Sequence, residues 1–185
     1  MTDASLDTLV QTLEARLAAA PSQPSDPWRT PSVATVDASG VPSVRTVVLR
    51  GFENNCLEFH TDTRSAKWQE LQKLEQIGWC FWDPASKEQL RIQGGCTLHH
   101  QDALTEHIWK TLPAHTQASY GTSSAPSSTI QAAEDFEFIA GLEQPNFGVI
   151  RCSAHTMDWL QLGRPKHKRA QFTGGDPWHG RWVVP

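Results

Sequence analysis

Apolar positions near the start of the chain repeat with helical spacing. Leu6, Leu9, Val10, Leu13 and Leu17 fall at i, i+3 and i+4 intervals on one face, which predicts an amphipathic helix within residues 1–20, ended by Pro21. Residues 21–31 hold four prolines among Ser and Asp and read as a connector; the segment before them is too short to fold alone.

From Ser32 the period changes to two. Residues 32–37 predict a strand, Ser39-Gly40 a turn, and Arg45 to Arg50 a β-branched strand with an arginine at each end. Asn54-Asn55 parts that run from Cys56–Thr61 as a hairpin, so strands one to three are expected to form a meander. Strict alternation would put Arg45, Val47 and Leu49 on one face and Thr46, Val48 and Arg50 on the other. Thr61 to Ser65 then offers capping groups to a helix marked by Trp68, Leu71 and Leu74. The nearly continuous apolar run 77–82 predicts a strand buried on both faces. In 87–99, Gln89, Arg91 and Gln93 alternate with Leu90 and Ile92, giving an apolar face and an amide-rich one. That second face fits either hydrogen bonding to the edge of a heterocycle or plain exposure to solvent. Further on, the pattern predicts a helix over 102–112, a Ser/Thr-rich loop over 114–129 carrying Tyr120, and a short acidic helix over 131–139. Strands follow over 147–153 and 156–162, then a basic loop over 164–169 and last short strands over 170–172 and 181–184. Six to eight short strands with a few helices make the chain mainly β with peripheral helices (α+β), a closed or split antiparallel barrel in one domain over 1–185.

Charge and composition narrow the function. A net charge of -4 gives no global attraction to nucleic acid or an anionic membrane, and the aromatics do not interleave with Lys/Arg along a strand. Four cysteines without a C-x-x-C pair indicate neither a zinc site nor a disulfide framework. His99-His100 would point to opposite faces of a strand, with no third ligand spaced to join them, so no metal is expected. Asp3, Asp7 and Glu14 stand where an export signal would be basic, and no run approaches the roughly 18 apolar residues of a membrane span. The expectation is a soluble cytoplasmic protein. Eight tryptophans are read as core or interface anchors, with one or two available to a flat ligand.

The start of the second helix carries Arg64 and Lys67, where the macrodipole is already positive. A phosphate held by free backbone N–H groups, the Thr61 and Ser65 hydroxyls, Lys67 and a strand arginine would reverse that cost; a capped surface helix with solvated lysines is the other reading.

Four blocks in order, RTVVLRGF, LEFHTDTRSAKWQEL, KEQLRIQG and a terminal RWVVP, resemble the pyridoxamine 5'-phosphate oxidase-like, FMN-binding split β-barrels, from about Ser32 onward and most strongly between Arg45 and Gly94. The resemblance implies FMN contacts from Arg45 and the backbone of Thr46, Val47 and Val48, from His60 beside the flavin, and from Thr61, Ser65 and Lys67 at the phosphate. Gln89 would reach the cofactor from the neighbouring subunit, implying a homodimer with FMN at the interface. Arg50, His167 and Arg169 match substrate-side positions. The sequence departs from the family pattern at Ala66, where an arginine is usual and Arg64 is the nearest replacement. It departs also at Trp159-Leu160, where a flavin-contacting tryptophan is expected, and at Gln171, where another cofactor arginine would be. No tyrosine or arginine for a pyridoxal phosphate group stands between Ile108 and Thr116. The implied activity is an FMN-dependent oxidoreductase passing hydride to or from flavin with a small anionic substrate. A dimeric FMN carrier or sensor without turnover is the alternative. Flavin chemistry needs no protein nucleophile, so His167, Lys168 or Arg169 would orient the substrate; KHKR also fits a solvated loop or a C-terminal interface.

Overall fold

A computed structural model describes residues 5–185. The first four residues of the predicted 1–20 helix lie outside that range. Helix α1 spans Leu6–Ala19, with the Ser5 hydroxyl accepting from the Thr8 N–H, and buries Leu9, Leu13 and Leu17. Nine strands follow: β1 Ser32–Val36, β2 Pro42–Thr46, β3 Leu49–Glu53, β4 Cys56–Asp62, β5 Gln76–Asp83, β6 Glu88–His99, β7 Phe147–Gln161, β8 Lys168–Gly174 and β9 Trp178–Trp182. Helix α2, Ala66–Lys73, joins β4 to β5; α3 (Ala103–Thr111), α4 (Ala114–Ala118) and α5 (Glu143–Asn146) lie between β6 and β7. All the strand pairings are antiparallel.

The sheet order is β2-β1-β5-β6-β7-β4-β3, with β8 and β9 branching from β7. β2 and β3 therefore lie at opposite edges of that path, yet only Val47 and Val48 separate them in sequence. A link this short spans two edges only if the sheet curls until they meet. They do not hydrogen-bond, and the result is a split barrel. The Arg45–Arg50 run is thus two strands and not one, and strands one to three are two hairpins and not a meander. The β3–β4 hairpin turns on Asn54 and Asn55, both at positive φ (51° and 59°), as a two-residue turn of the I′ kind requires. A register shift between Leu49 and Gly51 makes Arg50 a bulge residue, which further breaks the predicted alternation of faces.

Other expectations change for identifiable reasons. β5 is buried on one face: Ile77, Trp79, Phe81 and Asp83 point inward, whereas Trp82 is 42% exposed. The strands expected over 147–153 and 156–162 are one, because the ladder to β6 skips His155 opposite the Gln93/Gly94 shift and continues. Gly94 has no alternative there; a Cβ would lie 2.0 Å from the Ser153 carbonyl oxygen. Residues 131–139 form no helix. Their backbone bonds go to residues 121–123, from the Ser123 N–H to Glu137 O at 2.8 Å and from the Ile139 N–H to Gly121 O at 2.7 Å.

The barrel interior is filled by Val33, Leu57, Phe59, Trp79, Phe81, Leu90, Ile92, Met157 and Phe172. A second buried cluster, Tyr120, Phe147 and Val149, lies under α3. One side chain ties α1 to the barrel. Arg16 sits 4.2 Å above the Trp28 ring and bonds Asp83 (2.7 Å), Asp26 (3.2 Å) and Glu88 (3.5 Å). Among the described residues, no helix is long and apolar enough to cross a membrane.

Burial by itself would raise the Asp83 carboxyl, but hydrogen bonds from Arg16 and from the Ala85 and Ser86 N–H groups hold it down to about 2. The unfolded carboxyl titrates near about 3.9. Its contribution to stability is therefore complete above about pH 4 and is lost as pH falls toward about 2. Arg16→Met is expected to destabilise the fold at neutral pH by about 2 kcal/mol and to flatten stability against pH over that window, as read by urea denaturation at a series of pH values.

Candidate functional site

The inner face of β4 delivers Thr61, and the chain turns into α2 four residues later. Both hydroxyl residues there are buried, Thr61 at 4% exposure and Ser65 at 3%. Ser65 is the N-cap of α2, yet its hydroxyl accepts from none of the helix N–H groups. It lies 3.2 Å from the Thr61 hydroxyl, and the Lys67 ammonium donates to both, at 2.9 Å to Thr61 and 3.3 Å to Ser65. The turn is pinned from behind: Trp68, in the first turn of α2, rests on Gly148 of β7, where a Cβ would meet the indole at 2.6 Å. Any side chain at Gly148 would push α2 off the sheet.

Arg45 approaches the same place from β2. Its guanidinium donates to the Thr35 hydroxyl, to Ser43 O at 3.1 Å and to the Glu70 carboxylate at 3.3 Å; Thr35 in turn donates to Glu70. Burial lowers the Lys67 pKa, and the charge of Arg45 lowers it further. The carboxylates of Asp62 and Glu70 act in the opposite direction on Lys67. Lys67 itself has no ion pair among the described residues. An uncapped helix start, two hydroxyls and an unpaired ammonium form a cradle for a phosphate-like anion.

Thr46 ends β2, Val47 and Val48 form the crossing between the sheet edges, and the Val47 N–H is taken by Pro31 O at 3.0 Å. Arg64 does not join it. Its guanidinium bonds both oxygens of Asp62 (3.1 and 2.7 Å) and the carbonyl and hydroxyl of Thr122 (2.9 and 3.0 Å), so it makes no replacement for an arginine at Ala66. His60, one residue before Thr61, faces the opposite side of β4, with Nε2 3.3 Å from Glu58 and its ring edge-on to Phe147 at 5.1 Å. Arg50 lies close enough to Tyr120 for its charge to oppose the effect of burial, which pushes that phenol up to about 12.

Gln89 and Arg169 sit on the outer face of the sheet. Gln89 pairs with Leu160, and Leu160 with Arg169. Trp159 turns inward, buried with its indole N–H 3.3 Å from Glu88, so Leu160 is the outward residue at the position where an aromatic was expected. Arg169 is held by Asp158 at 2.9 and 2.8 Å, and Asp158 also accepts from Arg91 (2.9 Å) and Gln171 (3.0 Å). A groove of about 310 Å³ beside this hub is lined by Arg91, Gln93, Gln171 and Arg181. His167 stays in the exposed loop, accepting from the Gly163 N–H at 3.0 Å. Sequence reasoning missed Thr35, Glu70 and Asp158. Each acts across strands or from a helix onto a strand, and no local spacing marks such contacts.

The sequence model of the "Pyridoxamine 5'-phosphate oxidase, FMN-binding domain" matches residues 8–100. The pyridoxine/pyridoxamine 5'-phosphate oxidase of Chelativorans sp. is 40% identical over 73 residues, which cover 40% of this chain and 34% of that protein. That of Rhizobium leguminosarum bv. trifolii is 37% identical over 90 residues, 49% of this chain and 43% of the relative. The matched stretch thus spans less than half the length of these curated relatives. Among solved structures, a pyridoxamine 5'-phosphate oxidase-related, FMN binding protein of Nostoc punctiforme superposes over the whole of both chains, with a TM-score of 0.74 and 27% identity. PhzG from Burkholderia lata, at 15% identity, shares the fold, with a TM-score of 0.70 over 97% of this chain and 90% of its own.

A bound anion would restore the Lys67 pKa that burial and Arg45 depress, so binding above the free lysine's pKa takes up a proton. Affinity for sulfate, whose own charge does not change over this range, is expected to be flat below that pKa and to fall as pH rises through it. Lys67→Met should weaken binding at neutral pH and abolish the alkaline fall, as measured by calorimetric titration across pH.

Proposed function

Because the chain belongs to the pyridoxamine 5'-phosphate oxidase FMN-binding family, we propose that it binds FMN and acts as an FMN-dependent oxidoreductase on a small anionic substrate. The observation that carries this is the Thr61–Ser65–Lys67 cradle, whose ammonium has only neutral partners and whose helix start lacks its cap. It fits the phosphate of FMN in charge and in donor set, with Arg45 placed alongside and the backbone of Thr46, Val47 and Val48 next after it in the chain. When bound, FMN supplies hydride acceptance and donation.

The chain's own residues position and polarise. Lys67 and the two hydroxyls fix the phosphate, and Glu70 and Thr35 hold Arg45 in place. Thr61 of the cradle lies on the inner face of β4, whereas Gln89 and Arg169 point outward. This difference of faces supports a homodimer in which Gln89 of one copy reaches the cofactor of the other. Arg50, beside Tyr120, and His167 are the proposed substrate contacts along with Arg169. The reading treats residues 1–185 as one FMN-binding domain working in the cytoplasm, without nucleic acid or membrane as partner.

A carrier or sensor without turnover is the second reading, favoured by one contact: Asp158 already engages Arg169 on two nitrogens, leaving less of that guanidinium for a substrate.

Purified protein reconstituted with FMN and desalted is expected to keep a yellow chromophore. Lys67→Ala should weaken FMN affinity about 30-fold, in line with loss of a charge-assisted hydrogen bond of about 2 kcal/mol, and the Arg45→Ala/Lys67→Ala pair should leave the protein colourless. A wild-type protein that does not retain flavin at micromolar concentration would sink the proposal. Stoichiometric flavin reduction by a candidate substrate, or its absence across a panel of small anions and NAD(P)H, separates enzyme from carrier.

A further inference from the structure

Most of the tryptophans are occupied. Trp28, Trp68, Trp79 and Trp159 are buried. Trp109 packs on Phe147 and Tyr120, and the Trp178 indole donates to Glu14 at 2.9 Å. The two exposed ones differ. Trp182 leans edge-on against Trp159, with ring centroids 6.4 Å apart. Trp82 is 42% exposed, and its indole has no hydrogen bond or ring contact among the described residues.

Its place in the sheet gives that exposure meaning. Trp82 is the register partner of Gln89, Gln89 of Leu160, and Leu160 of Arg169, so the four side chains form one row across β5, β6, β7 and β8 on the outer face. Directly paired residues stand about 5 Å apart. The row therefore presents an aromatic surface, then an amide that can both donate and accept, then an aliphatic side chain, then a guanidinium. A flat heterocycle with an alternating C=O and N–H edge satisfies the first two together, its face against the indole and its edge on the amide.

We infer that Trp82 is the aromatic wall for the flavin ring, taking the part that Leu160 cannot play and that the inward-turned Trp159 is unable to reach. The inference rests on the FMN reading above. Because Trp82 is paired with Gln89, the residue proposed above to reach the cofactor of the other copy, the ring that meets Trp82 belongs to the FMN whose phosphate a second copy of this chain holds. Trp82 is a positioning residue: it orients the ring and shields one face from water.

The test uses the full-length protein and FMN itself. Trp82→Leu is expected to weaken FMN affinity about tenfold, within the range of aromatic stacking on a heterocyclic base, and to change the visible circular dichroism of the bound flavin. Trp82→Phe should restore most of both. Unfolding and re-mixing Lys67→Ala with Trp82→Leu chains discriminates further. In a dimer holding one chain of each, one site combines the intact Lys67 with the intact Trp82, so a class of wild-type-affinity sites should appear in the mixture. If Trp82 served its own chain's FMN, every site would keep one defect and no such class would form, which overturns the inference. Wild-type affinity and an unchanged flavin dichroism in Trp82→Leu, with Lys67→Ala still defective, would overturn it while leaving the FMN reading intact. Failure of the wild type to bind FMN removes both.

Discussion

Two residues carry the chain between the open edges of the sheet, and that shortness constrains the rest of the molecule. With β2 at one end of the strand order and β3 at the other, Val47 and Val48 can bridge them only in a curled sheet. Curling brings Arg45, at the end of one edge strand, to the mouth that β4 and α2 close from the other side. The cradle is thus a product of barrel closure. Thr61, Ser65, Lys67 and Glu70 come from one continuous segment, while Arg45 and Thr35 reach it from β2 and β1.

The electrostatic character of that mouth follows from the same packing. Lys67 is drawn under the sheet edge, its ammonium left with hydroxyl partners, and the nearby guanidinium further disfavours its charge. Glu70, which holds Arg45, and Asp62 offset part of this by favouring the charged lysine. Native proteins do not usually leave a buried cation without a counter-ion, since desolvation without pairing is costly. The arrangement becomes more favourable once an anion completes it.

How much of this was legible in the sequence depended on how local the determinant was. α1, the Asn54-Asn55 turn and the Thr61–Ser65–Lys67 segment rest on contacts within a few residues, and the pattern showed them. The break at Val47-Val48 carries no Gly, Pro or Asn to mark it; β-branched residues there read as uninterrupted strand, and only the pairing with β1 on one side and β4 on the other divides them. Residues 131–139 have a helical composition, but the 121–123 segment takes their backbone bonds. Asp158 and Glu70 were invisible for the opposite reason. Their sequence neighbourhoods are unremarkable, and their roles come from partners 11 to 67 residues away. Arg64 shows the limit of reasoning by proximity: two residues from the missing arginine, it is turned to Asp62 and Thr122.

β7 has a further consequence. Its 15 residues pair with β4 at one end and with β8 at the other, so a single strand, about 50 Å if straight, runs from beside the cradle to beside Arg169. Side chains alternate on either side of the His155 bulge, where the inward positions pass from Ile150, Cys152 and Ala154 to Met157 and Trp159, so the strand works as both ruler and parity code. The skipped His155 is the one place where a residue is absorbed without passing the shift on. Insertion of a single residue anywhere else between Gly148 and Met157 would exchange inside for outside beyond that point, turning Trp159 to solvent and Asp158 into the core. Evolution of the outer surface is therefore free to change the letters along β7 but not their number.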